Sequence, residues 1–153
     1  MSYKLYFLLW IIFPIFAFGQ SSPKPDTLYK KELTADCLNE DGRGMVFVKV
    51  EVSPSLNVEK EVFENALYAY LKSNKVDIKN DSVRFRILVT TKSKILEVIK
   101  ESGKITNEKK VVNALVALSG MWNSAMQNGR KVCAYVRLKL TFTNDKVNAV
   151  VSP

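Results

Sequence analysis

The chain has 153 residues, with 23 basic and 15 acidic side chains, two cysteines and no histidine. That length holds one domain with a full core. The missing histidine removes Ser/His/Asp and Cys/His nucleophilic chemistry along with the commonest metal ligand. Two distant cysteines make no zinc motif, and Gly42-Arg43-Gly44 lacks the length and the following Lys-Ser/Thr of a phosphate loop. Carboxylates such as Glu59/Glu61 and Glu40-Asp41 are not set among apolar walls that would raise a pKa. No enzyme activity, metal or cofactor is therefore expected.

Met1-Ser2-Tyr3-Lys4 opens the chain with a cation, and an apolar run follows from Leu5 to Gly19, interrupted by Pro14. A run of about fourteen apolar residues ending in small residues reads as an export signal over residues 1–19. A spanning helix needs about 20 apolar residues, so no stable membrane insertion is expected after cleavage. Ala17 and Gly19 would lie at −3 and −1 of a cut before Gln20. Residues 20–36, which open with Gln20-Ser21-Ser22-Pro23-Lys24-Pro25-Asp26, read as an extended tether to a single domain over 37–153.

Export changes the meaning of the charge. Without Lys4, 22 basic residues face 15 acidic ones, leaving +7. In the periplasm this points to anionic envelope components or an acidic protein, not to nucleic acid. An oxidising compartment also favours pairing Cys37 with Cys133, although sequence leaves open whether their Cα atoms come close enough.

Within the domain, Met45–Val52 alternates with Val46, Val48, Val50 and Val52 on one face, as a half-buried strand would. Asn57 is a plausible N-cap for a helix from Glu59 to Ser73, whose stripe is Val62, Phe63, Ala66, Leu67, Tyr70 and Leu71. Val83–Val89 and Ile95–Lys100 then form a hairpin around Thr91–Lys94. A second helix runs from Glu108 to about Ser119, capped by Asn107 and stopped at Gly120. After the Asn128-Gly129 turn comes the longest strand, with Val132, Ala134, Val136, Leu138, Leu140 and Phe142 on one face. Asn144-Asp145 turns into a short end strand, Val147–Val151.

The order is β-α-β-β-α-β plus an end strand. It predicts an α+β two-layer sandwich, with a mostly antiparallel sheet and both helices on one face. The opposite face would present Lys49, Arg84, Arg86, Arg137 and Lys139, with Phe47 and Tyr135 between them. Such a list serves either as a solvated surface or as a cationic binding face.

Several local patterns resemble the TonB C-terminal domain family. They are Val112-Asn113-Ala114-Leu115, Met121-Trp122, and Met126-Gln127-Asn128-Gly129-Arg130-Lys131-Val132 leading into a strand that ends at Phe142. Phe63–Leu67 with Tyr70–Asn74 resembles the family's preceding helix, so the likeness spans roughly residues 59–142. Its motif residues here are Trp122, Asn128, Gly129 and Lys131; Ser124 stands where the family often has Pro.

The resemblance implies an envelope interaction module that adds a partner's extended peptide to a strand edge. That edge would be Val132–Phe142 unless Val147–Val151 covers it. The implied partner is an envelope protein or peptide, such as an outer-membrane transporter in a transport-related role. Two copies could also pair through their strand edges. The family's force transmission needs a membrane anchor and a long spacer, whereas the Pro-containing segment here reaches only about 25–30 Å. Binding without energy transduction is the expectation. An anionic small molecule or glycan held on the cationic face is the alternative.

Overall fold

The computed structural model describes residues 26–38, 43–77, 79–143 and 146–153. The stretch read as an export signal, Glu40-Asp41 and the expected turn at Asn144-Asp145 lie outside the described residues. In chain order the strands are β1 (Asp26–Lys30), β2 (Val46–Phe47), β3 (Ser55–Leu56), β4 (Ser82–Val89), β5 (Ile95–Lys104), β6 (Trp122–Asn123), β7 (Ala125–Gln127), β8 (Arg130–Thr143) and β9 (Lys146–Ser152). Helix α1 (Lys60–Ser73) precedes β4, and α2 (Glu108–Ala117) follows β5.

The fold is α+β. Its main sheet runs β1-β5-β4-β8; β2 and β9 share the far edge of β8, and the short β7 pairs with the first residues of β8. All of these pairs are antiparallel except the two-residue β2–β8 pair. β3 and β6 form a separate small ladder.

Alternation along β4 and β8 sends Val83, Phe85, Ile87 and Val89 together with Val136, Leu138, Leu140 and Phe142 into one core. Phe63, Leu67 and Leu71 of α1 meet it at one residue per turn, and Val111, Val112, Ala114 and Leu115 do so from α2. Trp122 is fully buried there and meets Phe63 edge-on, with ring centroids 6.0 Å apart. Burying each such large side chain stabilises the fold by roughly 1.5–3 kcal/mol.

The ends of these elements have local causes. Lys75 at φ 51° ends α1, and Val76 N–H turns back to the Leu71 carbonyl at 3.0 Å. Asn128 (φ 50°) and Gly129 (φ 70°) supply the two left-handed residues of a tight β7–β8 hairpin. At Gly103, φ is 89° and an added Cβ would stand 2.3 Å from the Ser82 carbonyl oxygen and 2.8 Å from Val83 Cα. Only glycine fits that approach between β5 and β4.

Four expectations change. First, Met45–Val52 is not a strand of the sheet. Only Val46–Phe47 pairs with β8, Val52 makes a lone bridge to Met126, and Val48 is 88% exposed. The pattern suits a strand, but β9 already takes Arg137–Thr143 of the β8 edge it would need. Second, Asp26–Lys30, within the stretch read as tether, is a strand paired with β5. Third, Glu59 holds the N-cap position of α1, while Asn57 donates from its backbone N–H and Nδ2 to the carbonyls of Met121 and Gly120. Fourth, Asn107 starts α2 in a left-handed conformation without a side-chain cap bond. The Asp81 carboxylate steadies that corner by accepting Thr106 N–H at 2.8 Å and its hydroxyl at 2.9 Å. Those bonds, with minor help from Lys104 and Lys79, hold the Asp81 carboxyl below its usual value.

Candidate functional site

The residues assigned to a partner-binding strand edge belong to the core. Ala134, Val136, Leu138, Leu140 and Phe142 are all buried, and Val132 is half-buried. Their strand is flanked on both sides: β4 pairs with Ala134–Thr141, β2 and β9 occupy the opposite edge, and β7 pairs with Arg130–Val132. β9 covers Arg137–Thr143, which answers the question the sequence left open about Val147–Val151. Sequence alternation identified the side-chain face of β8, but it carries no information on which strand takes each edge.

The back of the sheet is divided in two. At one end Leu88, Leu96 and Cys133 are sealed by Leu33, Cys37 and Val46 from the N-terminal segment. Cys37 and Cys133 form a disulfide there, with Cα atoms 5.6 Å apart. Next to this cluster Tyr135 donates its hydroxyl to the Glu97 carboxylate, and Lys30 lies 3.5 Å from the same carboxylate. Burial first, and then the bond to Glu97 and its charge, push the Tyr135 hydroxyl up to about 12, against a smaller opposing effect of Arg86. Tyr135 therefore stays neutral and donates. Glu97 lies within an apolar run, and no periodicity could have matched it with Tyr135.

At the other end the back face is open and cationic. Arg86 stands opposite Arg137, and Arg84 opposite Lys139, on adjacent antiparallel strands. Residues opposed in this way share a face, so the four side chains form one patch. Lys49 does not join them, because it lies in the bend after β2 and not on the sheet.

Like charges opposed across strands are destabilising by themselves. Here they are only partly neutralised. The Arg137 Nε donates to both Glu101 carboxylate oxygens at 3.3 and 3.2 Å, and Nη1 donates to the Pro153 carbonyl at 3.0 Å. Arg86 lies over the Tyr135 ring, 5.1 Å from its centroid, and its Nε is buried without a hydrogen-bond acceptor among the described residues. Arg84 and Lys139 have no carboxylate within 4.0 Å among the described residues.

Two depressions meet on this patch. One, of about 130 Å³, is lined by Val48, Arg86, Tyr135, Val136, Arg137 and Pro153. The other is a wider trough that shares Arg137 and Pro153 and extends past Arg84 and Lys139 to Val150. The motif residues Trp122, Asn128, Gly129 and Lys131 lie elsewhere. Trp122 is in the core, Asn128-Gly129 form the β7–β8 turn, and Lys131 is exposed on β8 next to that turn.

Among the described residues no group of three or more His, Cys, Asp or Glu is placed to hold a metal ion, and no helix is long and apolar enough to cross a membrane. The sequence matches no family model, and no curated protein and no solved structure is significantly similar to it.

Proposed function

We propose that this chain is an exported, non-catalytic binding module of the cell envelope that takes an anionic ligand on its open sheet face. The observation that carries this reading is the opposed quartet Arg84, Arg86, Arg137 and Lys139, for which Glu101 is the one side-chain carboxylate within ion-pair distance among the described residues. A face whose own charges repel is relieved when an anion arrives, so binding and stability favour the same ligand charge. The export reading of residues 1–19 supports an envelope anion as the natural partner.

Dextran sulfate serves as a probe of the face. The protein should be retained at low salt and released as salt rises, because exposed charge contacts are screened. Replacing Arg84 and Arg137 with Glu reverses two of the four charges and should abolish retention. Equal retention of the double variant would sink the proposal.

Strand addition to β8, which the TonB-like resemblance implies, needs β9 to leave first. Any such binding should therefore rise in a chain cut after Thr143. Unchanged binding by the cut chain would count against that second reading.

A further inference from the structure

The small depression carries more hydrocarbon on its walls than the trough beside it. We infer that it is a site for a monocarboxylate carried on a small apolar body, a reading that rests on the anion-binding function above and narrows its ligand.

Three observations point to this class. The first is charge count. Arg86 and Arg137 are cross-strand neighbours, and Glu101 neutralises one of them through Arg137. Glu97, the next carboxylate on β5, is already engaged by Tyr135 and Lys30. Arg86 itself has no carboxylate within 4.0 Å among the described residues, which favours an anion at this end of the face.

The second is donor geometry. The Arg86 guanidinium lies over the Tyr135 ring, 5.1 Å from its centroid, and its buried Nε has no acceptor among the described residues. A buried N–H without an acceptor is costly, and a planar carboxylate meets a guanidinium edge with two parallel hydrogen bonds. Arg137 is held across the same cleft by its Nε and Nη1 contacts, so it adds a second cation that is already oriented.

The third is the wall. Val48, the most exposed large hydrophobic residue described, lines the cleft together with the guanidinium pair, and Tyr135 and Pro153 add further hydrocarbon. An 88%-exposed valine beside two arginines is poorly explained by either solubility or core packing. Covering it with a ligand's hydrocarbon explains both. A recess of about 130 Å³ suits a body of a few carbon atoms.

The test is an NMR titration of the protein, reading the Arg86 Nε–Hε resonance and the Val48 methyls. Hexanoate is the probe; hexanol offers the tail without the charge, and inorganic phosphate the charge without the tail. Hexanoate should shift both reporters together, with a Kd of about 1 mM for so small a ligand. Hexanol and phosphate should bind at least tenfold more weakly. Arg86→Lys keeps the charge but loses the planar fork and should weaken hexanoate by roughly tenfold. Because that variant could disturb the fold, Val48→Ser, an exposed change, is run beside it and should weaken hexanoate but not phosphate. Phosphate shifting Arg86 as strongly as hexanoate does, or hexanoate leaving the Val48 methyls unmoved, would overturn the carboxylate assignment. If dextran sulfate is retained through Arg84 and Arg137 while hexanoate fails, this inference falls alone; if both probes fail, the anion-binding function falls with it.

Discussion

Replacing Cys37 and Cys133 together with alanine should lower stability by about 3–5 kcal/mol. The two residues are 96 apart in sequence, and closing a loop of about a hundred residues removes unfolded-chain entropy worth about 4.7 kcal/mol at 25 °C. The lower part of the range allows for residual compactness of the unfolded chain. Trp122 reports the transition well, since it is fully buried against Phe63 in the main core, away from the disulfide cluster. The other tryptophan, Trp10, is replaced with Phe in both proteins so that the signal comes from one residue. With an m-value of about 2 kcal/mol/M, the urea midpoint of the double alanine variant should fall by about 1.5–2.5 M. A fall of less than about 0.5 M would refute the reasoning. It would mean that the segment from Leu33 to Val46 is not part of the unit that unfolds with the core.

Two glycines with left-handed backbones should separate under the same assay. Gly103→Ala adds a Cβ 2.3 Å from a backbone oxygen at φ 89° and should cost at least about 2 kcal/mol, whereas Gly129→Ala, with nothing within 4 Å, should cost only about 1 kcal/mol. Tyr135 makes stability depend on alkaline pH. Its hydroxyl is raised from about 10 to about 12, so its contribution is complete below pH 10 and is lost as pH rises toward 12. The stability difference between the protein and Tyr135→Phe should therefore shrink over that window, and a constant difference would remove the Tyr135–Glu97 bond as its cause.

The parts of the fold that sequence foretold are those in which one side-chain period runs uninterrupted. Helix α1 repeats Phe63, Leu67 and Leu71 once per turn, and β4 and β8 alternate over their whole lengths, so their buried faces follow from spacing alone. Four of the five cations expected on the back face follow from the same alternation. The fifth, Lys49, depended on Met45–Val52 being a strand, and there the period was present while β9 held most of the β8 edge it would pair with. Pairing is a property of the whole sheet, and valine alternation reports only preference. The Glu97–Tyr135 bond was hidden for a related reason. β5 shifts register opposite Leu88 and Val89, which places Leu96 in the back cluster while the neighbouring Glu97 meets Tyr135.

The choice between edge and face turns on what each would disturb. Freeing the β8 edge means separating seven register pairs between β8 and β9 and exposing Val147 and Ala149, which are 3% and 2% accessible. The valine alone represents roughly 1.5–3 kcal/mol of burial. Moving outward to the edge of β9 does not avoid the difficulty, because the Ala149 N–H there already donates to the Glu64 carboxylate of α1 at 2.5 Å. A helix carboxylate in the place of a partner carbonyl is one way to blunt an edge against strand addition. The open cationic face demands no such rearrangement: its side chains are exposed or half-exposed, its depressions exist in the folded chain, and one of its guanidinium groups has a buried donor awaiting an acceptor. A ligand bound there keeps every strand in place, and for that reason the proposed ligand is placed on the face and not on the edge.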